Sequence, residues 1–211
     1  MKFNCNCSKP YFFDKKYSYW EKKEITTDEN DILNKILLDT KLKNKDILHV
    51  GIGNSLVAKK IDSSNNIFGI TISHKEIEYA NSLKINNYKT IFCDKYSINL
   101  LKILNQRNFD LIIDTNLKSY TCCQEAFRYM MHNFFYFLKP GGKIITSING
   151  MKWYKSLKPK LSFSLKRLFY YKMKEVSGNP KNILKRSELE QLCTKHGIKI
   201  LIDEKLCYLI K

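Results

Sequence analysis

Two glycines separated by one residue follow a short apolar run in the sequence His49-Val-Gly-Ile-Gly-Asn-Ser55. Glycine lets the backbone turn sharply from a strand into a helix and lets a ligand approach the main chain closely. The free N–H groups at the start of the following helix then face that ligand. The turn therefore suits a cofactor site, although an ordinary strand-to-helix turn has the same glycines.

A dinucleotide site is one alternative for this turn. Such a site has the pattern Gly-x-Gly-x-x-Gly and an acidic residue at the end of the second strand. Here Leu56 stands where the third glycine would be, and the second apolar run ends at Thr71. Both residues argue against NAD or NADP.

The segment Gly69-Ile-Thr-Ile-Ser-His-Lys-Glu76 ends the second apolar run and opens a helix. Thr71 and Ile72 stand at the carboxyl end of the predicted strand, where parallel sheets bind their ligands. Ser73 and Glu76 stand at capping-box spacing at the start of that helix. Asp94 suits an ordinary loop or helix-capping position.

Short apolar runs alternate with helical stretches from residue 46 onward, which predicts five strands joined by four helices. The strands are predicted at 46–50, 66–71, 89–94, 109–114 and 143–147, and the helices at 56–61, 73–84, 98–105 and 124–138. This alternation predicts an α/β fold with a right-handed, doubly wound parallel sheet and helices on both faces.

The regions flanking these five strands complete the predicted domain. Thr26 and Glu29, at capping-box spacing, open a helix that we expect to end near Lys41. After the fifth strand, which follows a turn at residues 140–142, come a helix to His196 and strands at 198–202 and 206–210. The last connection is too short for a parallel crossover, so the final pair is predicted to be an antiparallel hairpin.

Seven strands with the last reversed, and a glycine turn after the first, resemble the class I S-adenosylmethionine (SAM)-dependent methyltransferases across roughly residues 28–211. The resemblance implies a Rossmann-like sheet that binds SAM at the glycine turn. The family pattern is acid-x-Gly-x-Gly-x-Gly. Gly51 and Gly53 match it, whereas Ser55 replaces the third glycine and His49 replaces the acid. His49 is either close to the cofactor or a buried core histidine.

The segment that ends in Glu76 resembles Gly-hydrophobic-Thr-Leu-Ser-x-x-Gln of the cyclopropane-fatty-acid-synthase group and related small-molecule methyltransferases. The resemblance implies that Thr71 and Glu76 contact the cofactor ribose and that Asp94 receives the adenine amino group. It also implies that the end of the fourth strand faces the methyl group, which makes Asp114, Asn116 and Tyr120 candidates for substrate or cofactor contact. The expected cofactor-binding residues are His49, Gly51, Gly53, Thr71, Ile72, Glu76, Asp94 and Asp114.

In this family the methyl acceptor binds between the N-terminal segment and an insertion after the fifth strand. These correspond to a cap or lid at residues 1–45 and a basic, aromatic insertion at 150–185, around a cofactor-binding core at 46–149 and a closing helix and hairpin at 186–211. The expected substrate contacts are Tyr11, Tyr17, Tyr19 and Tyr120, although the N-terminal aromatic residues are equally suited to packing a helix onto the sheet. His132, Tyr19 and Tyr120 are the candidates for a general base, and none is singled out.

The formal net charge is +17, from 37 Lys and Arg against 20 Asp and Glu. The stretch Lys152–Lys174 has three interpretations. It is a solvated surface of a lysine-rich chain, it binds an anionic lipid surface, or it binds the phosphates of RNA. The predicted function is methyl transfer to O, N or S of a small molecule or lipid headgroup. The alternatives are an RNA methyltransferase and a SAM-fold protein that binds without catalysis.

The apolar runs and the cysteines indicate in which cellular compartment the chain is expected to lie. No apolar run approaches the ~18–20 residues of a membrane helix, and the N-terminus has no apolar secretory segment. The seven cysteines form no Cys-x-x-Cys pair, which favours reduced thiols and a cytoplasmic location. Cys5 and Cys7 lack a second ligand pair, so no metal is expected. The oligomeric state is left open.

Overall fold

The structure is a computed structural model that describes residues 25–105, 107–151 and 184–211. The strands are β1 (Asp46–Val50), β2 (Asn66–Thr71), β3 (Tyr88–Phe92), β4 (Phe109–Asp114), β5 (Leu138–Ser147), β6 (Lys199–Ile202) and β7 (Leu206–Ile210). The helices are α1 (Thr27–Leu37), α2 (Leu56–Lys60), α3 (His74–Ser82), α4 (Leu100–Ile103), α5 (Gln124–Phe137) and α6 (Arg186–Lys195).

The described strands form one seven-stranded sheet in the order β3-β2-β1-β4-β5-β7-β6. Neighbours from β3 to β5 are parallel, and β7 is antiparallel to both β5 and β6. The predicted doubly wound α/β sheet with a reversed last strand is therefore confirmed. The chain leaves β1 on one side to build β2 and β3 and on the other to build β4 and β5. A crevice for a ligand is expected where that direction changes, at the carboxyl ends of β1 and β4.

Alternating side chains of the central strands face two separate apolar cores. Leu48 and Ile112 face a core that includes Phe127 of α5, whereas Ile47 faces a core that includes Ile32 of α1. Because successive residues of a strand point to opposite faces, both faces of the sheet need a covering helix layer. The prediction of helices on both faces is confirmed.

Several element boundaries differ from the predicted ones. β5 begins at Leu138, so the predicted turn at residues 140–142 lies inside the strand, where Gly141 has φ +76° and the pairing register with β4 shifts. α1 ends at Leu37 because the chain turns there, with Asp39 N–H donating to Ile36 O. β3 ends at Phe92, so Asp94 lies in the loop beyond it. α4 is a single turn.

Gly69 of β2 sits beneath the side chains that pack on the glycine turn. A Cβ atom at this position would lie 2.6 Å from Ile52 Cγ2 and 2.9 Å from Tyr88 Oη. We therefore expect Gly69→Ala to displace both side chains and to lower the free energy of unfolding by ~1–3 kcal/mol, measured by urea denaturation. An unchanged denaturation midpoint would show that the turn and β3 are not packed against this position.

Candidate functional site

The turn after β1 has left-handed backbone at alternate residues. The φ angles are +73° at Gly51, +52° at Gly53 and +59° at Ser55. A left-handed non-glycine residue costs about 1–2 kcal/mol. Ser55 is fully buried, and its Oγ lies 3.1 Å from Tyr88 Oη, a hydrogen bond that stabilises the residue in this conformation. The three glycine positions of the predicted motif thus keep one backbone shape although the third is serine.

The Glu76 carboxylate connects this turn to the end of β2. Its Oε2 accepts hydrogen bonds from Thr71 Oγ1 at 2.6 Å and from Gly53 N–H at 3.2 Å. Ser73 Oγ accepts from Glu76 N–H at 3.3 Å, so Ser73 caps α3 while the Glu76 carboxylate extends across to the glycine turn. The capping interpretation of Glu76 therefore holds for its amide, whereas its carboxylate contacts Thr71 and the glycine turn, and the ribose contact stays a prediction.

His49 is the last but one residue of β1, paired in register between Gly69 of β2 and Ile113 of β4. The side chain is buried, and its Nδ1 has no hydrogen-bond partner in the described residues. Burial lowers the pKa of His49 to about 4, because the charged imidazolium loses its hydration. His49 is therefore a neutral core histidine at neutral pH, and it supplies no negative charge at the turn.

Glu29 of α1 is a buried carboxylic acid that the sequence pattern assigned to helix capping. Thr26 Oγ1 accepts from Glu29 N–H at 3.1 Å, which forms one half of the expected capping box. The Glu29 side chain is 3% exposed, and its Oε1 has no hydrogen-bond partner in the described residues. Burial raises the pKa of Glu29 to about 7; the backbone hydrogen bond to Thr26 lowers it, nearby Glu76 raises it and Lys59 lowers it.

A buried lysine joins the loops that follow β3 and β4. Lys95 Nζ donates to Asp114 Oδ2 at 2.8 Å, to the Asn116 carbonyl at 2.8 Å and to Ser119 Oγ at 3.1 Å. These bonds use all three ammonium protons of Lys95. The other carboxylate oxygen of Asp114 accepts from Asn116 N–H at 3.1 Å. Protein groups therefore already bind both oxygens of Asp114.

Three further groups lie in the same pair of loops. Asp94 Oδ1 accepts from Tyr96 N–H at 2.9 Å, and burial raises the pKa of Asp94. Tyr96 Oη donates to Ser119 O at 2.7 Å, a second connection between the loops. Asn116 Oδ1 is buried without a partner in the described residues. It is a free acceptor beyond the carboxyl end of β4.

The structure divides the predicted cofactor residues other than the buried His49 into two groups. Gly51, Gly53, Thr71 and Glu76 form one cluster, with the half-buried Ile72 beside it in sequence. Asp94 and Asp114 belong to the loops joined by Lys95. Their roles in cofactor binding stay predictions.

The other candidates lie elsewhere. Tyr120 is half-buried after β4 with φ +59°, and the His132 ring lies 5.2 Å from that of His196 at the end of α6. Outside the described residues are Tyr11, Tyr17, Tyr19, Cys5, Cys7 and all but the ends of the basic insertion.

Several residues that shape the site were not singled out from the sequence as site residues. Lys95 and Tyr96 directly follow Asp94, but nothing in their spacing indicates the buried contacts that they make. Glu29 had a capping motif, which accounts for its backbone contact alone. Tyr88 lies one residue before the predicted start of β3, and only the folded sheet brings it to Ser55.

The fold is similar to those of solved methyltransferases. A magnesium protoporphyrin IX methyltransferase from Synechocystis PCC 6803, solved with bound SAH, matches with a TM-score of 0.60 and 13% identity, covering 86% of this chain and 81% of that one. The N-methyltransferase NodS from Bradyrhizobium japonicum WM9 matches with a TM-score of 0.56 and 13% identity, covering 89% and 97%. A SAM-dependent methyltransferase from Aquifex aeolicus matches with a TM-score of 0.55 and 12% identity, covering 95% and 98%.

These similarities show that the chain has the class I methyltransferase fold, as the sequence predicted. No protein-family model matches the sequence, and no curated protein matches it. In the described part of the chain, no helix is long and apolar enough to cross a membrane. Across residues 25–105, 107–151 and 184–211, no cluster of three His, Cys, Asp or Glu side chains is arranged to hold a metal ion.

The Lys95–Asp114 pair gives a test of how the two loops are held. Both side chains are less than a tenth exposed, so Lys95→Met leaves a buried carboxylate unpaired and is expected to cost ~3–5 kcal/mol of unfolding free energy. The double variant Lys95→Met/Asp114→Leu removes both charges and is expected to recover much of that loss in urea denaturation. Lys143→Met, which breaks a half-exposed pair with Asp39, is the control and should cost under ~1 kcal/mol.

If the double variant were as unstable as Lys95→Met alone, the carboxylate of Asp114 would not be the reason for the loss. The ammonium of Lys95 would then stabilise the loops through the Asn116 carbonyl and Ser119 instead.

The buried Glu29 predicts a pH-dependent stability difference. Its pKa rises from 4.5 in the unfolded chain to about 7 on folding, so the folded state binds the proton more tightly. Stability from this group is complete below pH 4.5 and is lost as the pH rises to about 7. Glu29→Gln carries no charge at any pH. It should match the wild type near pH 4.5 and exceed it above pH 7 by on the order of 3 kcal/mol, measured by urea denaturation at each pH.

A stability difference between Glu29→Gln and the wild type that stays constant from pH 4.5 to pH 8 would contradict burial of this carboxyl group. His49 has the opposite dependence, since its lowered pKa costs stability as the pH falls from 6.5 to about 4. Both proteins contain His49, so its effect cancels in the comparison.

Proposed function

We propose that the chain is a SAM-dependent methyltransferase that transfers a methyl group to O, N or S of a small molecule or lipid headgroup. The observation that supports this most directly is the Glu76 carboxylate, held by Thr71 and the glycine turn at the carboxyl ends of β1 and β2. A carboxylate in this place accepts hydrogen bonds from both hydroxyl groups of a ribose. The class I methyltransferase fold and its SAM-bound or SAH-bound relatives support the same cofactor.

The charges around the turn fit a cationic cofactor. SAM carries a sulfonium and an ammonium against one carboxylate. Although the chain as a whole has a net charge of +17, buried or half-buried Glu29, Glu76 and Asp94 all lie near the carboxyl edge of the sheet. The space where a Cβ of Gly51 would lie is open, so the backbone is accessible there. These residues fit the cofactor in charge and in hydrogen-bonding type.

Each predicted cofactor residue other than His49 then has a proposed task. Glu76 and Thr71 bind the ribose hydroxyl groups, with Ile72 beside them, and Asp94 accepts from the adenine amino group. Gly51 and Gly53 let the main chain approach the amino-acid end of the cofactor. Asp114 acts by holding Lys95 and the loop after β4 in place.

When bound, SAM supplies a methyl group on a positively charged sulfur. The chain's own contribution is to align the acceptor with that methyl group and to exclude water. The buried acceptor Asn116 Oδ1 is suited to orient a donor group of the substrate. A general base is needed only where the acceptor must lose a proton.

We propose that the chain is one methyltransferase domain in which residues 1–45 and 150–185 form the acceptor site around the core. Tyr11, Tyr17, Tyr19 and Tyr120 are the proposed acceptor contacts, and Lys152–Lys174 the proposed contact for an anionic partner. That partner is a lipid surface if vesicle binding depends on anionic lipid, and an RNA if binding falls steeply with salt.

Calorimetric titration with S-adenosylhomocysteine, with NADH as the comparison ligand, tests this function. We expect S-adenosylhomocysteine to bind and NADH not to bind. Glu76→Gln weakens the ribose contacts, so it is expected to reduce the affinity about tenfold or more, because hydrogen bonds to a charged group contribute about 1.5–3 kcal/mol. Glu78→Gln is the matched control, since it makes the same change at an exposed position of α3.

Failure of the wild-type chain to bind S-adenosylhomocysteine would overturn the proposed function. Equal losses of affinity in Glu76→Gln and Glu78→Gln would show that the chain binds the cofactor but that Glu76 makes no specific contact with it.

A further inference from the structure

Glu29 lies on the face of α1 that packs against the sheet. It is one helical turn before Ile32, which together with Ile36 packs in the core formed with Ile47 and Ile113 of the central strands. Ser147 Oγ at the end of β5 donates to Asp28 Oδ1 at 2.8 Å, which fixes the start of α1 at the carboxyl edge of the sheet. Glu29 is therefore buried at the edge where the glycine turn lies.

Three charged or titratable groups from other elements interact electrostatically with Glu29. The charge of Glu76 on α3 raises its pKa, Lys59 on α2 lowers it, and Glu29 in turn contributes to the raised pKa of Tyr88 on β3. Glu29 is thus within electrostatic range of the same Tyr88 that contacts Ser55 and of the same Glu76 that contacts Gly53. A second carboxylate therefore lies near the glycine turn, on an element outside the motif.

The Glu29 carboxylate has one backbone donor, from Thr26, and lacks a second in the described part of the chain. Its Oε1 is buried and has no hydrogen-bond partner in the described residues. Lys59 is exposed, and its Nζ donates to Tyr79 Oη at 3.4 Å. His49, at the end of β1, is neutral at neutral pH. A buried acceptor without a donor is unfavourable unless a ligand supplies one.

We propose that Glu29 binds the α-ammonium group of the cofactor, as a contact that α1 contributes to a site otherwise built by β1, β2 and α3. This inference rests on the proposed function. An ammonium group has three N–H donors and a full positive charge, which suit a buried carboxylate with a free oxygen. The carboxylate of Glu76 already accepts hydrogen bonds from Thr71 and Gly53. In this proposal Glu29 contacts the amino-acid end of the cofactor, and Glu76 contacts its ribose.

Calorimetric titration with two nucleosides distinguishes the ammonium contact of Glu29 from the ribose contact of Glu76. S-adenosylhomocysteine has the amino-acid end, whereas 5′-deoxy-5′-methylthioadenosine has the same adenine and ribose and lacks it. We expect Glu29→Gln to lower the affinity for S-adenosylhomocysteine at least tenfold and to change the affinity for methylthioadenosine by less than twofold. Glu29→Asp keeps the charge but withdraws it by one methylene, and it should show the same selectivity. Glu78→Gln is expected to change neither affinity.

The outcomes that overturn the inference are distinct from those that overturn the function. If the wild type binds S-adenosylhomocysteine and Glu29→Gln binds it with the same affinity, Glu29 has no ammonium contact and only this inference fails. Equal weakening of both nucleosides in Glu29→Gln means that Glu29 maintains the turn, and the inference fails again. If the wild type binds neither nucleoside, the proposed function fails together with the inference.

Discussion

The hydrogen bonds of the Glu76 carboxylate hold the glycine turn against the end of β2, and the geometry of the site depends on them. A left-handed turn with two glycines has many backbone conformations open to it in the unfolded chain. Glu76 selects one of them by binding the amide of Gly53. Tyr88 supports the same turn from the other side, because Gly69 leaves room for its ring and its hydroxyl reaches Ser55. The turn is therefore fixed by α3, β2 and β3 together.

A second constraint is the buried ammonium of Lys95. It joins the loops after β3 and β4, which approach each other across the sheet edge although β3 and β4 are not neighbours in the strand order. Charged groups this deeply buried are tolerated when every proton has an acceptor. One hydrogen-bonded unit thus carries Asp94, Asp114 and Asn116. We propose that the glycine turn and this unit form the two sides of the cofactor site.

The order of the strands and helices was predictable because burial on both faces of a parallel sheet leaves a strong periodicity in the sequence. β1, β2 and β4 were predicted at their observed bounds for this reason. The fold was harder to predict where a local sequence pattern is compatible with two different structures. The Pro-Gly-Gly segment was predicted to be a turn, yet it lies within β5 as an irregular stretch, where Gly141 N–H donates to Lys211 O and Lys211 N–H donates to Gly142 O.

Within the site, the positions on the glycine motif and Glu76 were predictable from spacing, since they lie a fixed distance from a strand end. Lys95 and Glu29 were not, because their partners are distant in sequence and the contacts exist only in the folded sheet. Glu29 shows the difference most clearly. Its spacing from Thr26 predicted a capping role, and the backbone contact formed, but tertiary packing placed the side chain in the interior.

A crystal structure of the chain with S-adenosylhomocysteine would locate the ribose relative to Glu76 and so test the role of this carboxylate. We expect both ribose hydroxyl groups within hydrogen-bonding distance of the Glu76 carboxylate, with the nucleoside lying across the carboxyl ends of β1 and β2. A nucleoside bound away from Glu76, with the carboxylate still engaged only by Thr71 and Gly53, would contradict it.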